Sequence, residues 1–115
     1  MRILVVDDDP LAGEMAAAIL EEAGHECLLA ENGVEALEKL ADEQNIGLVI
    51  SDMNMPLLSG LDLFQELRSQ GFAMPFVLLT GDDPKPFITR EPGLAGCLMK
   101  DASLEEVLPA WVNRL

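Results

Sequence analysis

Five short apolar runs, each too brief to be a helix and each followed by a longer amphipathic segment, restrict this chain to a narrow set of folds. The runs are Ile3–Val6, Glu26–Leu29, Leu48–Ser51, Phe76–Thr80 and Gly96–Met99. Their hydrophobicity is continuous rather than alternating, which predicts strands covered on both faces. Strands of that kind, separated by helical segments, form a parallel sheet with helices packed on either side. Crossovers between parallel strands are right-handed, and ligands gather at the carboxyl ends of such strands.

Those ends are where chemistry is to be sought. Asp7 and Asp8 follow the first run, Asp52 follows the third, Thr80 ends the fourth and Lys100 follows the fifth. The second run leads only to Ala30 and Glu31, as expected of a strand at the sheet edge. The expectation is one α/β domain over residues 1–115, a doubly wound five-stranded parallel sheet in the flavodoxin-like order 2-1-3-4-5. No internal repeat, low-complexity tract or linker interrupts it.

The helices are marked by their ends. Asp9 caps the first, with Pro10 at its first position and Gly24 past its end. Leu11, Met15, Ala18 and Glu22 share one side, which leaves the strip Ala12, Ala16, Ala17 and Leu20 to face outward beside the acidic residues. Alanine favours helix without any partner, but such a strip also suits docking of another protein's helix. The second helix spans Gly33 to Asp42 and is expected to turn Val34, Leu37, Leu40 and Ala41 inward. The third opens with a capping box, Ser59 with Asp62, buries Leu61, Phe64 and Leu67, and stops at Gly71. The last repeats the device with Ser103 and Glu106, burying Leu104, Leu108, Trp111 and Leu115 around a kinking Pro109. Between Thr80 and Gly96, three prolines (Pro84, Pro86, Pro92) leave room for a turn or two around Phe87 to Glu91, so the fourth helix should be shortened or broken.

Charge narrows the function. A net charge of −14 repels nucleic acid, and the scattered Lys and Arg residues form no patch to neutralise phosphates. No apolar stretch approaches the roughly 20 residues of a membrane span, and the opening run is too short for a signal peptide. The expected location is therefore the cytoplasm, with Cys27 and Cys97 as buried free thiols.

Three carboxylates meeting at one sheet edge repel each other, and a hard cation relieves that clash. Mg²⁺ (or Mn²⁺) suits them, because it takes a few carboxylate oxygens, keeps waters and accepts a phosphate oxygen. An Asp-Asp pair at a strand end is often only turn chemistry, Thr80 alone could be a cap, and Lys100 alone a surface charge. All of them together at strand ends point to phosphoryl transfer, with a carboxylate as nucleophile forming an acyl phosphate.

The motifs carry a specific resemblance over nearly the whole chain. Asp52-Met53-Asn54-Met55-Pro56-Leu57-Leu58-Ser59-Gly60 resembles the signature around the phosphoacceptor aspartate of response regulator receiver domains. Ile3-Leu4-Val5-Val6-Asp7-Asp8-Asp9-Pro10 is similar to that family's acidic opening, and Glu31-Asn32-Gly33-Val34-Glu35-Ala36-Leu37 to its second-helix entry. Phe76-Val77-Leu78-Leu79-Thr80-Gly81 and Leu98-Met99-Lys100 supply the remaining positions. The resemblance implies that Asp52 is phosphorylated from a phosphohistidine on a sensor histidine kinase or histidine phosphotransfer protein. It implies that Asp8, Asp52 and the backbone carbonyl of Asn54 bind the metal, with Asp7 acting mainly through water. Thr80 would then hydrogen-bond the phosphoryl group and Lys100 would pair with it, while Asn54 and Asp82 tune its loss. The implied role is a two-component phosphorelay module, either a single-domain regulator or the receiver of a larger one, with the downstream target open.

This sequence departs from the family at three places. Cys97 stands where an aromatic switch residue is usual, Lys100-Asp101 replaces Lys-Pro, and the fourth-helix segment is broken by proline. Without the aromatic and with so short a fourth helix, a monomer is expected. Those departures would also suit a pseudo-receiver that signals without phosphate. A haloacid-dehalogenase-type phosphohydrolase shares the Asp-x-Asp spacing of Asp7-Asp8-Asp9, but it wants Thr or Val at Leu11 and an acidic motif after the lysine.

Overall fold

The computed structural model describes residues 1–43 and 45–114. Its elements alternate throughout: β1 (Arg2–Val6), α1 (Pro10–Glu22), β2 (Glu26–Ala30), α2 (Gly33–Asp42), β3 (Leu48–Asp52), α3 (Gly60–Ser69), β4 (Phe76–Thr80), α4 (Lys85–Arg90), β5 (Gly96–Met99) and α5 (Leu104–Val112). The strands pair in parallel in the order β2-β1-β3-β4-β5, as the sequence led us to expect.

Continuous apolar runs lie where both sheet faces are covered. Every residue of β3 and β4 is buried, whereas the edge strands β2 and β5 expose Glu26, Leu29 and Met99. Strand alternation divides the core in two. Leu4, Val6, Val49 and Leu78 meet Ala36, Leu40, Phe64 and Leu67 of α2 and α3 on one side. Ile3, Val5, Ile50 and Leu79 meet Ala16, Leu20, Leu108 and Val112 of α1 and α5 on the other. Each fully buried Leu, Ile or Val contributes about 1.5–3 kcal/mol.

The faces of two helices differ from expectation. In α1 the strip Ala16, Ala17 and Leu20 is buried and Ala12 is half-buried, while Leu11 and Met15 are 65% and 60% exposed. Both strips are apolar, so periodicity could not choose between them. The small side chains of Ala16 and Ala17, beside Leu20, are the ones turned to the sheet. The strip read as a docking surface is thus core, and a charge there would be buried rather than presented. In α2, Gly33, Ala36 and Leu40 are buried and Leu37 partly so, but Val34 and Ala41 are exposed. Gly33 faces inward because Leu58 occupies the place of its Cβ, only 2.4 Å away, and that rotation turns Val34 outward.

Helix ends follow simple chemistry. The Asp9 side chain accepts from Leu11 N–H, and Ser59 and Asp62 form the expected capping box at α3. Leu61, Phe64 and Leu67 are buried, and the chain turns beyond α3 at Gly71 with φ +89°. At α5 the expected box is absent. Ser103 instead donates its N–H and hydroxyl to Asp101, whose charge makes it the stronger acceptor. Leu108 is buried and Leu104 and Trp111 are half-buried; Leu115 lies outside the described residues. As expected, α4 is short, at 6 residues with none buried.

The β3–α3 loop, which runs on from Asp52, contains a strained turn. Leu57 has φ +69° and is 97% exposed, and Leu58 N–H closes a three-residue turn on the Pro56 carbonyl at 2.8 Å. A leucine there carries left-handed strain with no burial to offset it. Leu57→Asn should therefore stabilise the protein by about 1 kcal/mol, since Asn tolerates this region. The check is a higher urea midpoint at an unchanged slope; a lower midpoint would mean the leucine is stabilising after all.

Candidate functional site

Parallel register brings the strand ends together. Val6 pairs with Ser51, Asp52 with Leu79 and Thr80 with Met99, so the residues after or at those positions share one edge. Asp7 and Asp8 leave β1 there, Asp52 and Thr80 end their strands there, and Lys100 leaves β5 there. All five residues picked out from the sequence are therefore brought to one place. Asp7, Asp52 and Thr80 are buried, whereas Asp8 and Asn54 are exposed.

A single ammonium group binds the acidic residues. Lys100 Nζ lies 2.6 Å from Asp7 Oδ2 and 3.6 Å from Asp52 Oδ1. Its main chain is anchored too, Lys100 N–H donating to the Thr80 carbonyl at 2.7 Å. No cis peptide bond occurs among the described residues, so Lys100-Asp101 reaches the site through a trans chain. Asp7 also accepts from Asp9 N–H at 2.9 Å. Thr80 Oγ1 accepts from Asp82 N–H at 3.0 Å, which leaves its own proton free to be donated. A Cβ on Gly81 would meet nothing within 4 Å, so the approach over Thr80 is open.

Electrostatics make Asp52 the unusual group. Burial pushes its carboxyl above the ordinary 3.8, and the charges of Asp7 and Asp8 add to the rise. Lys100 and the Asn54 backbone N–H oppose it without cancelling it. For Lys100, burial alone would lower the ammonium, but its hydrogen bond to Asp7 and the charges of Asp52 and Asp7 more than compensate and leave it raised. The two thiols are inert by comparison: burial pushes half-buried Cys27 and buried Cys97 up to about 11.

The same carboxylates suit a metal. Asp7, Asp8 and Asp52 each offer an oxygen, and these atoms lie within 4.8 Å of one another. An all-oxygen anionic set of this kind fits Mg²⁺ or Mn²⁺ and lacks the nitrogen and sulfur donors that softer metals prefer. One neighbour escaped the sequence reading. Ser51, treated there only as the end of an apolar run, is fully buried and donates its hydroxyl to the Asp52 carbonyl. A polar residue directly before Asp52, closing the apolar run Leu48 to Ile50, was the available signal.

Comparison with known proteins gives a consistent result. A family profile described as "Response regulator receiver domain" matches residues 3–111. The chain is 36% identical over 109 residues to the sensor histidine kinase RcsC of Escherichia coli, covering 93% of this chain and 11% of that protein. It is 39% identical over 110 residues to the response regulator MprA of Mycobacterium avium, covering 94% of this chain and 48% of that one. The chain thus spans about half or less of these relatives. Among solved structures, response regulator TrrA of Thermotoga maritima in complex with Mg²⁺-BeF superposes with TM-score 0.85 at 34% identity, covering 99% of this chain and 98% of that one.

The raised carboxyl has a measurable consequence for stability. Folding favours the protonated form of Asp52, so the folded state binds more proton and stability falls as pH rises through and above 3.8. Asp52→Asn should then raise the melting temperature in metal-free buffer near neutral pH, with the gain shrinking as pH falls toward 3.8 and absent below it. Melts followed by circular dichroism in chelator would show it, and a neutral-pH loss would identify a structural carboxylate instead.

Proposed function

The chain belongs to the response regulator receiver domain family of two-component signalling, and from that premise we propose that Asp52 accepts a phosphoryl group from a phosphohistidine on a sensor histidine kinase or phosphotransfer protein. The observation that carries this reading is the environment of Asp52: a buried carboxylate at a strand end, between two further aspartates and a lysine ammonium 3.6 Å away. The unit that acts is residues 1–115 as one receiver.

The chemistry follows from the residues. An Asp52 oxygen forms the new O–P bond as the N–P bond of the phosphohistidine breaks, and the departing imidazole takes up a proton. Burial raises the basicity of that oxygen and so favours attack by its ionised form. The Thr80 hydroxyl, oriented by Asp82 N–H, donates to a phosphoryl oxygen, and Lys100 pairs with another. A bound Mg²⁺ or Mn²⁺ would neutralise the remaining phosphoryl charge, held by Asp8, Asp52 and the Asn54 backbone carbonyl with Asp7 acting through water. Exposed Asn54 and Asp82 flank the opening and govern how water reaches the acyl phosphate during autodephosphorylation. Its only catalysis is this self-directed transfer and hydrolysis.

The setting is cytoplasmic and away from nucleic acid, in keeping with the net charge of −14. No helix among the described residues is long and apolar enough to cross a membrane.

Labelling with acetyl phosphate and Mg²⁺, read by intact mass, tests the assignment. One phosphoryl group should add to the wild type and none to Asp52→Ala, and Asp8→Ala should lose labelling together with Mg²⁺ binding. Normal Mg²⁺-dependent labelling of Asp8→Ala would overturn the metal assignment, and labelling of Asp52→Ala the phosphoacceptor.

We also propose that the protein acts as a monomer in both states. Cys97 carries no ring to fill space beside Thr80, and the six residues of α4 offer little surface for pairing. A coupling needs an element with two arrangements that the phosphoryl group favours unequally, and the loops next to Asp52 and Thr80 meet that need better than α4. Sedimentation with and without beryllofluoride should give one monomeric species. A dimer dependent on the mimic and broken by substitution of Phe87 or Trp111 would refute this.

A further inference from the structure

We infer that Ser51 is a positioning residue for the phosphoacceptor: its hydroxyl fixes the peptide group that carries Asp52, and so sets where the Asp52 carboxylate stands. The inference rests on Asp52 being phosphorylated as proposed above.

Among the described residues four polar side chains are buried, and three of them, Asp7, Asp52 and Thr80, form the site. Ser51 is the fourth, fully buried in a strand whose preceding residues are Leu48, Val49 and Ile50. Its hydroxyl donates to the Asp52 carbonyl oxygen at 3.0 Å. The other end of that same peptide unit, Met53 N–H, donates to the Leu79 carbonyl at 2.8 Å. The peptide that follows the phosphoacceptor is thus gripped twice, by the sheet on one side and by Ser51 on the other.

The surroundings make the hydroxyl hard to replace. The start of α3 closes over the carbonyl: a Cβ on Gly60 would stand 2.5 Å from Asp52 O, and Gly60 N–H is already committed to the Met53 carbonyl at 2.9 Å. Without Ser51 Oγ the carbonyl is enclosed and lacks a donor, and the peptide gains by turning to find one. That turn draws Met53 away from Leu79 and shifts Asn54, whose backbone N–H holds the Asp52 carboxylate. A small misplacement of a nucleophile costs rate steeply.

The experiment compares Ser51→Ala with Ser51→Thr, which keeps the hydroxyl on a side chain suited to a strand. Acetyl phosphate labelling is followed by intact mass at saturating Mg²⁺ over a range of phosphodonor concentrations. The maximal rate of Ser51→Ala should fall roughly tenfold while the half-saturating phosphodonor concentration stays near wild type, and Ser51→Thr should recover most of the rate. Wild-type rates in Ser51→Ala would overturn the inference. Equal slowing of both variants would also overturn it, since packing rather than the hydroxyl would then be responsible. If Ser51→Ala does not fold at the assay temperature, the near-isosteric but weakly donating Ser51→Cys takes its place and is read in the same way. Absence of labelling in the wild type would instead defeat the phosphoacceptor reading, so the two failures are distinct.

Discussion

The contact of Lys100 Nζ with Asp7 and Asp52 holds this architecture at its most expensive point. Three carboxylates within 4.8 Å of one another, two of them buried, cannot be tolerated without a nearby cation. Lys100 supplies it from the opposite part of the chain, 93 residues from Asp7 in sequence. That pairing ties the end of β1 to the end of β5 across β3 and β4. The ammonium sits closer to Asp7 than to Asp52, at 2.6 Å against 3.6 Å. Burial, only partly offset by Lys100, leaves the Asp52 carboxyl raised.

Local devices serve the same edge. The Asp9 cap starts α1 directly after Asp8, and the Ser59–Asp62 box fixes the far end of the loop that leaves Asp52. Gly60 lets α3 begin against the Asp52 carbonyl, and Gly33 lets Leu58 pack beneath α2. Between these fixed ends Leu57 is left in a left-handed conformation in full solvent. Strain of that sort persists only where the flanking structure imposes it.

The opposite side of the site is less tightly built. α4 has no fully buried residue and no side-chain cap; partly buried Phe87 packs against the core, and its neighbour Leu94 is buried in it. Trp111 packs against β5 because Gly96 has no side chain, its ring atoms lying 2.8–2.9 Å from where a Cβ would be. The aromatic on this face is therefore seated from α5 rather than from β5.

Strand identity and the five site positions were legible in the sequence because they depend on periodicity and chain polarity, while the sheet order followed from the family resemblance. Parallel strands aligned in register bring their carboxyl ends to one edge, so any polar residue at Asp7, Asp8, Asp52, Thr80 or Lys100 must converge there. The choice between Ala16 and Met15 as the buried face of α1, or between Ala36 and Val34 in α2, was not legible. Both strips of α1 are apolar, and in α2 the packing of Leu58 against Gly33 sets the rotation. Nor could the sequence say that Asp101 would displace Ser103's own cap, that Lys100 would favour Asp7, or that Ser51 would reach the Asp52 carbonyl. The sequence by itself determined which elements form and which chemistry their ends carry, because periodicity and chain polarity are local properties. Only the tertiary structure decided which partner each polar atom takes, since that depends on distances between segments far apart in the chain.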